Sequence, residues 1–184
     1  MLRDSLGAKR RAASDMLLPC MDMGALFPQA AARYLEQHGG AVLTGTKLTA
    51  ITKAGDGWRA TLNGQESAFD AVVLATPASQ SAALLAPHAP ELAEQLGALA
   101  YEPIATCYLQ YDPSVRLDLP FYALLDDPAA SRWGQFAFDR GQLDAGQAGL
   151  LAVVVSAAGD AAALEQDALA ALIAAQLAQD LRRP

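Results

Sequence analysis

Two histidines, two cysteines and scattered carboxylates are the residues of this 184-residue chain with chemistry to offer. His38 stands just before Gly39-Gly40, at the expected end of a helix, where a partly positive ring favours the helix dipole. His88 lies in Ala86-Pro87-His88-Ala89-Pro90, a loop signal. Neither has a Ser-x-Gly, Cys or HExxH companion, so the residues indicate no catalytic triad and no metal site. Cys20 and Cys107 are far apart and lack CxxC spacing, which reads as two free thiols in a reducing cytoplasm. Asp126-Asp127 and Asp139-Arg140 fall at strand ends, where Asp serves mostly in turns and caps. No P-loop and no GxGxxG occurs, and Gly39-Gly40 and Gly55-Asp56-Gly57 read as turn glycines.

The composition narrows the classes. Hydrophobic residues make up 53% of the chain and charged residues 18%, which excludes wholesale disorder and permits a real core. Alanine, with 41 copies, supplies much of that apolar share as helix-friendly filler. The net charge is −7 and the only basic run, Lys9-Arg10-Arg11 with Arg3 nearby, is short, so no footprint for nucleic acid exists. No apolar h-region opens the sequence, and no run approaches the ~20 apolar residues of a membrane helix.

The elements that must position any site follow from periodicity. Leu2, Leu6 and Met16 to Leu18 suggest a helix ending near Pro19. Phe27, Ala31, Tyr34, Leu35 and His38 recur at helical spacing, giving a helix over 26–38 stopped by Gly39-Gly40. The period then changes to two. Ala41-Val42-Leu43 is a short strand, and 46–53, 58–62 and 66–69 form an antiparallel meander with turns at Gly55-Asp56-Gly57 and Asn63-Gly64. Ala71-Val72-Val73-Leu74-Ala75 has no polar alternation, as in a strand buried on both faces. Two short helices, 79–86 and 90–98, precede strands at 104–111, 119–125, 133–139 and 150–156. The chain closes with an alanine-rich helix over 160–181, striped by Leu169, Leu172, Ile173, Gln176, Leu177 and Leu181. Periodicity and spacing alone give an α+β or α/β domain without a self-contained active site.

Certain strings carry more. Gly39-Gly40-Ala41-Val42, Leu48-Thr49-Ala50-Ile51, Gly57-Trp58 and Phe69-Asp70-Ala71-Val72-Val73-Leu74-Ala75-Thr76-Pro77 occur in this order. The series resembles the middle of flavin-dependent amine oxidases and phytoene desaturase-type enzymes. Leu2-Arg3-Asp4-Ser5, Ala13 to Pro19, Ala25 to Pro28, Tyr101-Glu102-Pro103-Ile104, Leu119-Pro120-Phe121 and Phe136 to Arg140 are similar to the squalene-associated branch, the hydroxysqualene dehydroxylases of hopanoid and squalene synthesis.

The resemblance implies an α+β chain. Part of an FAD-binding domain, an antiparallel β-meander plus a buried strand, would be joined to a substrate domain with a mixed β-sheet covered by helices. The implied division is 1–24 as a helical segment of the substrate domain, 25–77 as partial FAD-binding domain and 78–184 as substrate domain. The family's glycine-rich βαβ unit and its closing Gly-Asp segment are not in these 184 residues. The chain is therefore expected to be an interior piece of a longer flavoenzyme, inactive alone and unable to hold FAD. Leu48 matches the position whose backbone contacts the adenine, and Ala75, Thr76 and Pro77 match the loop near the dinucleotide. Tyr108, Phe121, Tyr122, Phe136 and Phe138 are the candidate substrate-pocket residues, for an apolar isoprenoid. No catalytic residue and no metal ligand is implied. The expected setting is cytoplasmic, with peripheral membrane contact as a variant, and the piece alone is expected to self-associate. An amine substrate, or a non-redox ligand-binding module, are the alternatives.

Overall fold

The computed structural model describes Asp15 and residues 17–181. The helix expected from Leu2, Leu6 and Met16 to Leu18 and the basic run at 9–11 lie mostly or wholly outside the described residues. The chain divides into two compact units, Tyr34–Tyr101 and, separately, the chain up to Arg33 together with the chain from Glu102 onward.

Met23–Leu26 forms a single helical turn, α1, capped by the Asp22 carboxylate on the Gly24 N–H. Helix α2 follows over Pro28–Gln37, opened by its proline and stopped at Gly39, whose φ of +81° suits only glycine well. The meander of the Tyr34–Tyr101 unit is β1 (Leu48–Ala54), β2 (Gly57–Leu62) and β3 (Gln65–Phe69), in the order β1-β2-β3. Asn63 and Gly64 both adopt positive φ, 49° and 83°, as the tight β2–β3 turn demands. Ile51 pairs with Ala60, and both are buried. Helices α3 (Ala78–Leu85) and α4 (Pro90–Gly97) pack on each other and bury Ser81 and Ala93.

Two expectations change here. Ala41-Val42-Leu43 is not a strand, and Val42 and Leu43 are exposed. Ala71–Ala75 runs on from β3 but pairs with no described strand, and Val73 is 90% exposed. The physical reason is shared: a strand needs a partner edge, and an apolar strand needs cover on both faces. Among the described residues nothing supplies either.

The other unit is built on a four-stranded sheet: β4 (Ala105–Gln110), β5 (Phe121–Ala123), β6 (Phe136–Asp139) and β7 (Leu150–Val155). Their order is β4-β7-β6-β5. Every ladder is antiparallel, which corrects the expected mixed sheet. Each neighbouring pair in the order runs antiparallel, so no parallel crossover is needed. The expected strand over 119–125 shrinks to three residues because Pro120 offers no N–H and Leu125 turns out to solvent. One face carries the core: Leu151, Val153, Val155 and Ala137 pack with Ile173 and Leu177 of helix α5 (Gln166–Asp180). Ile173 and Leu177 are almost fully buried, which stabilises the docking by about 1.5–3 kcal/mol each. The helix expected from residue 160 starts later, since Ala161–Ala163 makes a separate 3₁₀ turn and Leu164 is extended.

Candidate functional site

The edge strand of the meander creates the first candidate. Lys47 exchanges two hydrogen bonds with Asn63: its N–H donates to Asn63 Oδ1 at 2.9 Å and its C=O accepts from the Asn63 N–H at 3.0 Å. Bonding alternates along an antiparallel pair, so Leu48, opposite Leu62, occupies the non-bonded position. Its N–H and C=O therefore point to the free edge of β1 rather than into the sheet. A bulge between Leu48 and Ala50 leaves Thr49 as the extra residue, whose hydroxyl donates to the Thr61 carbonyl at 3.2 Å.

Beside that edge lies a groove of about 630 Å³, lined by Thr46 to Thr49 on one side and by Thr76, Gln80, Ala83 and Leu84 on the other. It brings Leu48 and Thr76 together. Ala75 and Pro77 flank Thr76 without lining it, and Pro77 precedes α3 with no side-chain cap. The Thr76 hydroxyl is 2.7 Å from the Ser81 hydroxyl, which anchors the loop to the helix. Lys47 and Gln80 are lining residues that the sequence did not single out.

The groove suits the base end of a nucleotide. One free N–H beside one free C=O complements a ring edge with adjoining acceptor and donor, such as adenine. The groove's size is that of an ordinary ligand site. No glycine lines it, so it lacks the row of oriented backbone N–H groups that a diphosphate requires.

The second candidate is the sheet face opposite α5. Register places Tyr108, Ala152, Phe138 and Phe121 in one row across the four strands, with Thr106, Val154, Phe136 and Ala123 in the next row on the same face. Four of the five candidate substrate residues thus share one face. Phe121 stacks on Phe136 with ring centroids 5.6 Å apart and tilts against Phe138 at 4.9 Å. Tyr108, at the β4 end of its row, is 63% exposed, and Phe136 in the next row is 38% exposed. Tyr122 is the exception. It lies in the row Cys107, Val153, Ala137, Tyr122 and packs against the core beneath α5. An apolar cavity on that core side, lined by Tyr111, Val115, Leu117, Leu151 and the end of α5, measures about 240 Å³. That is below the about 300 Å³ at which ligand sites usually begin.

The remaining polar candidates are structural. His38 Nδ1 is 2.8 Å from the Tyr34 carbonyl and its ring stacks on Tyr34. His88 Nε2 is 2.7 Å from the Ile51 carbonyl, and its ring meets Trp58 edge-on. Asp127 accepts the Ala130 N–H at the start of a 3₁₀ turn. Asp139 is buried, accepting the Leu117 N–H at 2.9 Å and the Gln142 amide at 2.8 Å. Burial raises the Cys107 thiol above its usual range, which favours the protonated form. Among the described residues no three His, Cys, Asp or Glu side chains are grouped to hold a metal ion, and no helix is long and apolar enough to cross a membrane.

The strand edge at Leu48 and the aromatic sheet face are thus the two places where the described residues could hold a ligand. The family model of flavin containing amine oxidoreductases matches residues 12–183. The chain belongs to that family of flavin-dependent oxidoreductases. Comparison with the curated proteins finds no match.

Proposed function

We propose that this chain is part of an FAD-dependent oxidoreductase acting on a large apolar polyprenyl of the squalene type, most similar to a hydroxysqualene dehydroxylase. The observation that carries the reading is the open face of Tyr108, Phe121, Phe136 and Phe138. No ladder position on that face is charged. A hydrocarbon chain is held by contact area and shape, and such a face supplies both. An amine would gain most from a carboxylate, which the face lacks.

The flavin, when bound, supplies the hydride acceptor. The residues of this chain orient and exclude water. Leu48 would hold the base end of the dinucleotide through its backbone, with Thr76 across the groove. The aromatic face lines up the substrate and keeps its reacting end dry. No side chain here has to move a proton for hydride transfer. A polyprenyl substrate partitions into lipid, so the proposed setting is a cytoplasmic enzyme working at the membrane periphery.

An amine remains the second reading, because three clustered rings also suit a cation. The test is to titrate the isotopically labelled chain with a hydroxylated C30 isoprenoid and, separately, with a long-chain alkylamine. Amide shifts are followed at Tyr108, Ala152 and Phe138. Larger shifts with the isoprenoid support the reading. Larger shifts with the amine replace it, and silence with both removes the sheet face from the substrate site.

A further inference from the structure

We propose that Asn63 is a modification site: it converts spontaneously to isoaspartate and aspartate through a cyclic imide with Gly64, at a rate set by the opening of its contacts to Gly45 and Lys47. Asn63 is the one asparagine in the chain, and a glycine follows it. Asparagine is among the thermolabile residues. In the first step the Gly64 backbone nitrogen attacks Asn63 Cγ. The new N–Cγ bond replaces the Cγ–Nδ2 bond, and Nδ2 leaves as ammonia with the proton of the Gly64 N–H. Water then adds to the ring. Opening at Cγ gives aspartate, and opening at the main-chain carbonyl gives isoaspartate, with no change of oxidation state. Both residues are exposed at the β2–β3 turn, and nothing lies within 4 Å of the place a Gly64 Cβ would take, so water reaches the ring. The fold holds the reaction back. Asn63 Oδ1 accepts the Lys47 N–H at 2.9 Å, and Nδ2 donates to the Gly45 carbonyl at 3.4 Å. The carboxamide cannot swing onto the Gly64 nitrogen without giving up both bonds. Isoaspartate carries one more main-chain carbon through a turn that fits only two residues, so it cannot keep the pair of bonds between Lys47 and residue 63. The modification therefore unfastens the start of β1.

The experiment ages the full chain at mildly alkaline pH in native buffer and in urea, and follows the peptide carrying Asn63 and Gly64 by mass spectrometry. Amide hydrogen exchange of Lys47 is compared in fresh and aged protein. A gain of one mass unit at Asn63 is expected in both solutions, roughly tenfold slower in native buffer, the cost of an opening that breaks two modest hydrogen bonds. Lys47 exchange is expected to quicken in the isoaspartate fraction and to stay slow in Asn63→Asp, which keeps an acceptor for the Lys47 N–H. No mass gain in urea overturns the site. Equal rates in the two solutions overturn the gating by Gly45 and Lys47, and unchanged Lys47 exchange in the isoaspartate fraction overturns the unfastening of β1.

Discussion

The side-chain amide of Gln176 grips both backbone groups of Gly134: Oε1 accepts the N–H at 2.8 Å and Nε2 donates to the C=O at 2.9 Å. Nε2 also donates to the Leu125 carbonyl at 3.1 Å. Gln176 is 2% exposed, so α5 carries a buried amide that closes on the sheet as another strand would. Gly134 has no room for a side chain, because a Cβ there would lie 2.8 Å from Val153 Cγ1. Beside this contact Arg132 pairs with Asp180, which ties the end of the helix to the same loop.

Gln176→Leu keeps the volume and removes the hydrogen bonds, leaving the Gly134 N–H buried and unpaired. The expected loss is about 3 kcal/mol, from two or three orphaned groups at 1–3 kcal/mol each with partial relaxation. Gln176→Glu keeps the acceptor and loses the donor, so it falls between. Urea unfolding checks the order. A Gln176→Leu variant as stable as the parent would mean that the amide does not hold α5.

How much could be read beforehand differs by element. The meander was legible because its turns, Gly55-Asp56-Gly57 and Asn63-Gly64, have sequence signatures and its strands alternate. Helix α5 was legible from its stripe, including Gln176, although the sequence did not say that this polar member holds Gly134. Ala71–Ala75 was legible as an apolar strand and not as an unpaired one, since pairing depends on a partner that a local pattern does not contain. Strand alternation separates Tyr122 from Phe121, because neighbouring residues of one strand face opposite sides of the sheet. Leu48 and Thr76 came from resemblance. Lys47 and Gln80 did not, because exposed polar residues carry no periodic signal.

The unpaired Ala71–Ala75 segment has no charge, proline or glycine, the profile of a strand that recruits another. The chain is expected to self-associate at tens of micromolar. Val73→Lys, at a position 90% exposed, is expected to return it toward monomer without lowering stability. Light scattering of both proteins decides. A monomeric parent, or association that Val73→Lys leaves intact, counts against this segment as the cause.

Cys107 and Cys20 should react differently. Desolvation raises the Cys107 thiol, while Cys20 is exposed. At pH 8, iodoacetamide is expected to label Cys20 well before Cys107. A folded value above the unfolded one means that the contribution of the thiol to stability is whole below the unfolded value, about 9.0, and is lost as pH rises through the folded value. Peptide mass spectrometry after timed alkylation checks the first point. Equal labelling rates would show that burial does not protect Cys107.

These 184 residues are not expected to retain FAD. The Leu48 edge and the Thr76 loop offer hydrogen bonds contributing about 0.5–1.5 kcal/mol each. Association costs at least ~4 kcal/mol of translational and rotational freedom. No GxGxxG unit is present to add the diphosphate contacts. After mixing with FAD and desalting, the protein fraction should be colourless. Stoichiometric yellow protein would show that other residues of this chain complete the cofactor site.

The face of Tyr108, Phe121, Phe136 and Phe138 is proposed to receive an apolar polyprenyl chain. Photolabelling with a diazirine-bearing C30 isoprenoid, followed by peptide mapping, tests it most directly. Label is expected to concentrate on peptides carrying 105–110 and 136–139, and unlabelled isoprenoid is expected to compete it away. Label concentrated instead around Tyr111, Leu117 and Leu181, or spread without competition, would contradict it.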